Sequence, residues 1–371
     1  MRRTWHQGLS AVTVALGVAA MTAMTTMHAP QAAAAGSLRD LAAAKGVYFG
    51  TDTTVTEWND PAYKAVADRE TNMLTPGNEM KWDTTEPNRG QFNFAPADSL
   101  VAAAVAANQR VRGHTLVWHS QAPGWVQNLA AADLRQAMLN HINTEVTHYK
   151  GKLYSWDVVN EAFNDDGTRR ASFWQQKLGD GYIADAFRAA RAADSAAKLY
   201  YNDYNTDGLG AKSDAVYAMV RSFLQQGVPI DGVGLQAHLI LGQAPASMQQ
   251  NIQRFADLGV EVAVTELDVR MTTPSTPDKL ATQAADYSKV ASACLAVTRC
   301  VGITTWGLSD RYSWVPSTFP GQGAALPFDE NLQPKPAYDA LNRAFGGTGT
   351  PPPPGGGTKS CTAAYTIVSQ W

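Results

Sequence analysis

Eight short apolar runs, rich in β-branched residues, alternate along this chain with longer Ala-rich stretches of helical spacing. The runs fall at 46–51, 73–78, 110–119, 153–161, 198–205, 232–238, 260–268 and 302–308. Between them, 95–107, 130–149, 181–194, 211–226, 245–258 and 276–295 carry apolar residues at helix period. A continuous apolar run bounded by polar residues suits a strand buried on both faces. Eight of these with intervening helices over roughly 300 residues predict an α/β fold of the (β/α)8 barrel type. A doubly wound open sheet is the alternative from pattern alone. It usually carries a Gly-rich phosphate turn after its first strand, and none follows 46–51.

The barrel reading says where chemistry belongs, because such barrels work at the carboxyl ends of their strands. Polar and aromatic residues gather there: Asn78 to Lys81, His114 to His119, Asn160 and Glu161, Asn202 to Asn205, Gln236 to His238, Glu266 to Asp268, and Trp306 to Trp314. Glu161 and Glu266 end apolar runs, where a charge is costly unless it is paired or faces a cleft. Two carboxylates are the minimal equipment for cleaving a glycosidic bond. The flat faces of Trp118, Trp306 and Trp314 suit sugar rings, whereas Trp82, Trp125, Trp156 and Trp174 read equally well as core. Asn160 and Glu161 are adjacent, so a regular strand sends them to opposite sides. Asp268 follows Glu266 by two and shares its face, where two acids repel. Gln236 and His238 share a face as well. Glu266, Asp268 and His238 also admit a metal-binding reading. The chain has no GxSxG elbow and no Walker-type phosphate loop.

The flanks have a different character. Residues 1–35 read as a signal peptide: Arg2 and Arg3, an apolar run at 11–20, and small residues at 32–35. A secreted, extracellular protein is therefore expected. In that compartment Cys294 and Cys300 should pair, leaving Cys361 alone among the three cysteines. A net charge of −3 favours neither nucleic acid nor an anionic membrane as partner. The catalytic unit is assigned to 36–345, followed by a Pro/Gly/Thr linker at 346–359 that has nothing apolar to bury. Residues 360–371 then alternate apolar and polar like a single strand, which cannot form a core alone.

Together the motifs resemble glycoside hydrolase family 10 endo-1,4-β-xylanases of the secreted actinomycete type. They are TPGNEMKWD (75–83), RGHTLVWHSQAPGW (112–125), WDVVNEAF (156–163), YYNDYN (200–205), GLQAHL (234–239), TELD (265–268) and WGLSDRYSW (306–314). The resemblance implies a retaining double displacement on xylan and xylo-oligosaccharides, with Glu161 as acid/base, Glu266 as nucleophile, and no metal or organic cofactor. It implies that Asn78 and Lys81 hold the sugar one unit beyond the reacting one on the glycone side. His114, Trp118 and Asn160 then line the subsite beside the bond. Gln236 and His238 flank the nucleophile, with Asp268 behind, and Trp306 and Trp314 cap the glycone subsites. One position departs from the pattern: many relatives carry glutamate directly before Asn78, where this chain has Gly77. The tail from Cys361 resembles the opening strand of a family 2 cellulose-binding module, too short for cellulose binding to be expected. A monomer is the default for this kind of enzyme. A β-1,4-glucanase or cellobiosidase on the same barrel, a metal-dependent hydrolase and a non-catalytic polysaccharide-binding protein are the alternatives.

Overall fold

The computed structural model describes Met1 and residues 36–349. The signal-peptide reading of 2–35, most of the 346–359 linker, and the 360–371 tail with Cys361 lie outside the described residues. Among the described residues, no helix is long and apolar enough to cross a membrane.

Eight parallel strands close into a barrel. They are β1 (Tyr48–Thr53), β2 (Met73–Pro76), β3 (Arg110–Val117), β4 (Ser155–Asn160), β5 (Lys198–Asp203), β6 (Gly232–Leu235), β7 (Glu261–Thr272) and β8 (Cys300–Thr305). Each pairs in parallel with the next, and β8 returns to β1 in the register Tyr48↔Gly302 to Thr51↔Thr305. The open-sheet alternative falls with that closing pair. Helices Pro61–Glu70, Ala95–Ala106, Ala131–His148, Tyr182–Ala193, Ala211–Gln225, Met248–Asp257 and Pro277–Leu295 connect successive strands, and Pro336–Ala344 follows β8.

One predicted strand is divided. The run 232–238 ends as β6 at Leu235, and Ala237 takes a positive φ of 59°. A short strand, His238–Ile240, then resumes beside Asp268–Arg270 of β7. Sequence reading missed the helices Leu38–Ala44, Pro61–Glu70 and Pro336–Ala344. The second shows why. Only Tyr63, Val66, Ala67 and Glu70 are buried on it, so its apolar stripe is narrow. Its start is set by Asp60, whose carboxylate accepts from Ala62 N–H, and by Pro61 in the first turn.

The barrel is filled by pairing large residues with absent ones. Tyr48 of β1 lies beside Gly302 of β8, and Tyr200 of β5 beside Gly232 of β6. A Cβ on either glycine would stand 2.3 Å from the neighbouring tyrosine ring. The same device recurs on the outer, helix-packed face of the sheet, where Gly113 of β3 adjoins Trp156 of β4. Arg112 of β3 is buried with Asp157 of β4. Its Nε donates to Oδ2 at 3.1 Å, and its Nη2 contacts Oδ1. The guanidinium also lies 4.5 Å from the Tyr200 ring centre. At the opposite end from the site, Cys294 at the end of helix Pro277–Leu295 is bonded to Cys300 at the start of β8.

A buried cation stripped of its partner is among the costliest defects a core can hold. Asp157→Ala, which leaves Arg112 buried and unpaired, is expected to destabilise the protein by about 3–5 kcal/mol. Denaturant unfolding measures this, and an unchanged midpoint would contradict it.

Candidate active site

A cleft of about 310 Å³ opens at the carboxyl ends of the strands. It is lined by Asn78, Lys81, His114, Trp118, Asn160, Glu161, Gln236, His238, Glu266, Trp306 and Trp314. Each of these was a candidate from sequence, and the fold brings all of them together. Asp268 is fully buried behind them.

Glu161 follows the last residue of β4 and adopts a φ of 59°. That left-handed turn is costly for a residue with a side chain, and such strain gathers at functional sites. It corrects the expectation of opposite sides, because Asn160 Nδ2 donates to Glu161 Oε1 at 3.2 Å. The turn is held by Glu161 N–H on the Asn202 carbonyl at 2.9 Å and by Arg170 Nε on the Glu161 carbonyl at 2.8 Å. The carboxylate also accepts from Gln236 Nε2 at 3.1 Å and Trp118 Nε1 at 2.9 Å. Trp118 is itself fixed, since the buried Trp174 donates to its carbonyl at 2.9 Å. Trp174, like Trp82 and Trp156, is core.

Glu266 sits within β7 and is almost fully buried. Asn202 Nδ2 donates to its Oε1 at 2.7 Å, and His238 Nε2 lies 3.0 Å from its Oε2. The other imidazole nitrogen, Nδ1, is 2.9 Å from Asp268 Oδ2, an oxygen that also accepts from Trp314 Nε1 at 2.8 Å. The three residues that could have been read as metal ligands thus form a hydrogen-bonded chain with the imidazole in the middle. Burial pulls the His238 pKa down, but Asp268 and Glu266 outweigh it and hold it at about 10. The repulsion expected between two acids on one face is therefore resolved by a cation between them. Burial pushes Glu266 up, yet its hydrogen bond from His238, the nearby His114 and Asn202 leave it below the ordinary glutamate value.

The glycone-side candidates form a second cluster. Lys81 Nζ donates to Asn78 Oδ1 at 3.1 Å and to Gln121 Oε1 at 2.7 Å, and lies 5.2 Å from the Trp118 ring centre. Burial pulls its pKa down, against the carboxylates of Glu266 and Asp52. His114 Nδ1 is hydrogen-bonded to Asp157 Oδ2 at 3.0 Å, which ties the cleft floor to the buried ion pair beneath. Trp306 stands edge-on to His114 at 5.3 Å between ring centres, and Trp314 edge-on to His238 at 4.9 Å.

Sequence reasoning passed over Asn202 as an individual residue. Its Nδ2 also donates to Asn160 Oδ1 at 3.0 Å, so one amide links the surroundings of the two carboxylates. Thr265 Oγ1 donates to Asn202 Oδ1 at 2.7 Å and fixes which way the amide faces. The only signal was its place at the end of the fifth strand, within YYNDYN.

The model of glycosyl hydrolase family 10 matches residues 37–344. The chain belongs to that family. It is 55% identical over 298 residues to an endo-1,4-β-xylanase of Agaricus bisporus, covering 79% of this chain and 90% of that one. With endo-1,4-β-xylanase A of Phanerodontia chrysosporium it shares 50% identity over 314 residues, 83% of this chain and 77% of the relative. Both relatives are fungal, so the likeness carries the family and not the actinomycete affinity expected from sequence. Among solved structures, xylanase 10B of Thermotoga petrophila in complex with xylobiose superposes with a TM-score of 0.81 at 42% identity. It covers 83% of this chain and 97% of that one. This family 10 glycoside hydrolase therefore carries its two glutamates on the (β/α)8 frame of its relatives.

The His238 pKa has a consequence for stability. A group raised from 6.5 to about 10 on folding stabilises fully below pH 6.5, and that contribution is lost as pH rises through 10. Unfolding free energies of wild type and His238→Gln are expected to differ most at or below about pH 6.5 and to converge between about pH 6.5 and 10. Parallel curves over that window would refute a charged His238.

Proposed function

We propose that this family 10 endo-1,4-β-xylanase cleaves internal bonds of xylan with net retention, Glu266 acting as nucleophile and Glu161 as acid/base. The observation that carries this reading is the unequal treatment of two buried carboxylates in one cleft. Glu266 is held anionic by an imidazolium and an amide. Glu161 is fixed by three N–H donors from Trp118, Asn160 and Gln236.

In the first step a Glu266 oxygen attacks the anomeric carbon and forms an ester, while the C–O bond to the leaving sugar breaks. Glu161 gives its proton to that oxygen. Glu161 then takes a proton from water, the water oxygen attacks the anomeric carbon, and Glu266 leaves as carboxylate. Asn160, beside Glu161, is positioned to bond a hydroxyl next to the reacting carbon, a contact that strengthens in the transition state. His238 gains from Glu266 only while Glu266 is charged, so it favours release of the nucleophile in the second step. Asn78 and Lys81 are assigned to the sugar beyond the reacting one, and Trp306 and Trp314 to the rings of the glycone side. Trp314 crowds the place where a hydroxymethyl group would project, which favours xylose over glucose. Export by way of residues 1–35 and action outside the cell complete the reading.

Proton NMR of xylohexaose hydrolysis is expected to show internal cleavage with the β-anomer released first. Early α-anomer would mean inversion and would remove Glu266 from the nucleophile's role. Glu266→Ala is expected to lower turnover by several orders of magnitude while the protein stays folded. Turnover unchanged in that variant would refute the mechanism.

A further inference from the structure

Gly77 is a glycine that its own backbone does not require. Its φ lies outside the left-handed region, so any residue could adopt it. What a side chain there would meet first is the Asp52 carboxyl. A Cβ on Gly77 would stand 2.7 Å from Asp52 Oδ2, while the next atoms, Thr54 Cγ2 and Thr53 O, are at 3.4 and 3.5 Å. The two residues meet because β1 and β2 pair with Asp52↔Thr75 and Thr53↔Pro76, and Gly77 N–H closes the end on Thr53 O at 2.8 Å. The Asp52 carboxyl thus lies where a side chain on residue 77 would begin. It also lines the cleft beside Gly77, Asn78 and Lys81, and is 8% exposed.

We propose that the Asp52 carboxyl is this chain's ligand for the sugar one unit beyond the reacting one, replacing the side chain that residue 77 lacks. This assignment rests on the glycone subsites proposed above. Burial, then the charges of Glu57 and Glu266, hold Asp52 well above the ordinary aspartate value, against Lys81 and the backbone of Gly307. It therefore keeps its proton where a surface aspartate has lost it, and can both donate to and accept from neighbouring hydroxyls. A glutamate at 77 would reach the same hydroxyls from the neighbouring strand.

The test compares an aryl β-xylobioside, whose second sugar occupies this subsite, with an aryl β-xyloside, which leaves it empty. The readout is the ratio of kcat/KM for the two substrates. In Asp52→Ala/Gly77→Ala the vacated space is refilled without an acid, and the ratio is expected to fall about 10-fold or more, the loss of one strong hydrogen bond. In Asp52→Ala/Gly77→Glu the acid returns on the other strand, and the ratio is expected to recover to within about 3-fold of wild type. A purely structural role would lower both substrates together and leave the ratio where it was, which would overturn the proposal. So would a fall that the Gly77→Glu change does not reverse. If wild type itself fails to hydrolyse the xylobioside, the subsite reading fails and the proposal falls with it. If wild type hydrolyses it and only the ratios disagree, Asp52 alone is wrongly assigned.

Discussion

The contact between Arg112 and Asp157 is the point from which the cleft is built. It is fully buried between β3 and β4, beside the Tyr200 ring. Asp157 accepts from Arg112 with both oxygens and, on the upper side, from His114. A guanidinium taken from water has few alternatives to such a partner. The pair therefore fixes the relative height of β3 and β4, and with it the height of Trp118 and Glu161 at their ends. The Thr115 hydroxyl, bonded to the Asp157 carbonyl at 2.9 Å, ties the same two strands a second time.

Above that floor, the site uses amides where charges would be hard to accommodate. Asn160, Asn202 and Gln236 come from three successive strands and bond one another as well as the two glutamates. An amide donates and accepts without carrying net charge, so it can be buried between carboxylates at little electrostatic cost. Among the described residues, the one cation placed directly on Glu266 is His238, and it is balanced by Asp268 on its other side. Glu266 thus meets a fixed donor whose charge is already compensated. This is the kind of prearranged environment that needs no reorganisation when charge moves.

The eight strands were legible because a strand buried on both faces must be apolar along its length. Polar residues then stand out where the strands end, and Glu161, Glu266, His238 and the cleft tryptophans were found that way. Two kinds of information were absent from the linear pattern. The first is backbone handedness: nothing in Asn160-Glu161 or Gln236-Ala237 announces a positive φ, so side-chain direction at the strand ends was misjudged for the first pair. The second is lateral pairing. Asn202 bonds residues 42 and 64 positions away, and Asp157 serves partners 43 and 45 positions away. Residue spacing records what lies along a strand and not what lies beside it. Helix Pro61–Glu70 escaped for a simpler reason: its caps specify it more strongly than its apolar face does.

The glycines pressed against Tyr48, Tyr200 and Trp156 bear on how such a barrel can change over generations. No side chain can be added at Gly302, Gly232 or Gly113 while its aromatic neighbour stays, and removing the aromatic first leaves a hole. Either single step passes through a poorer protein, and only the two together return to a filled interior. Exchange at these places would therefore have to be matched between adjacent strands, tying together positions far apart in the chain because they share one volume.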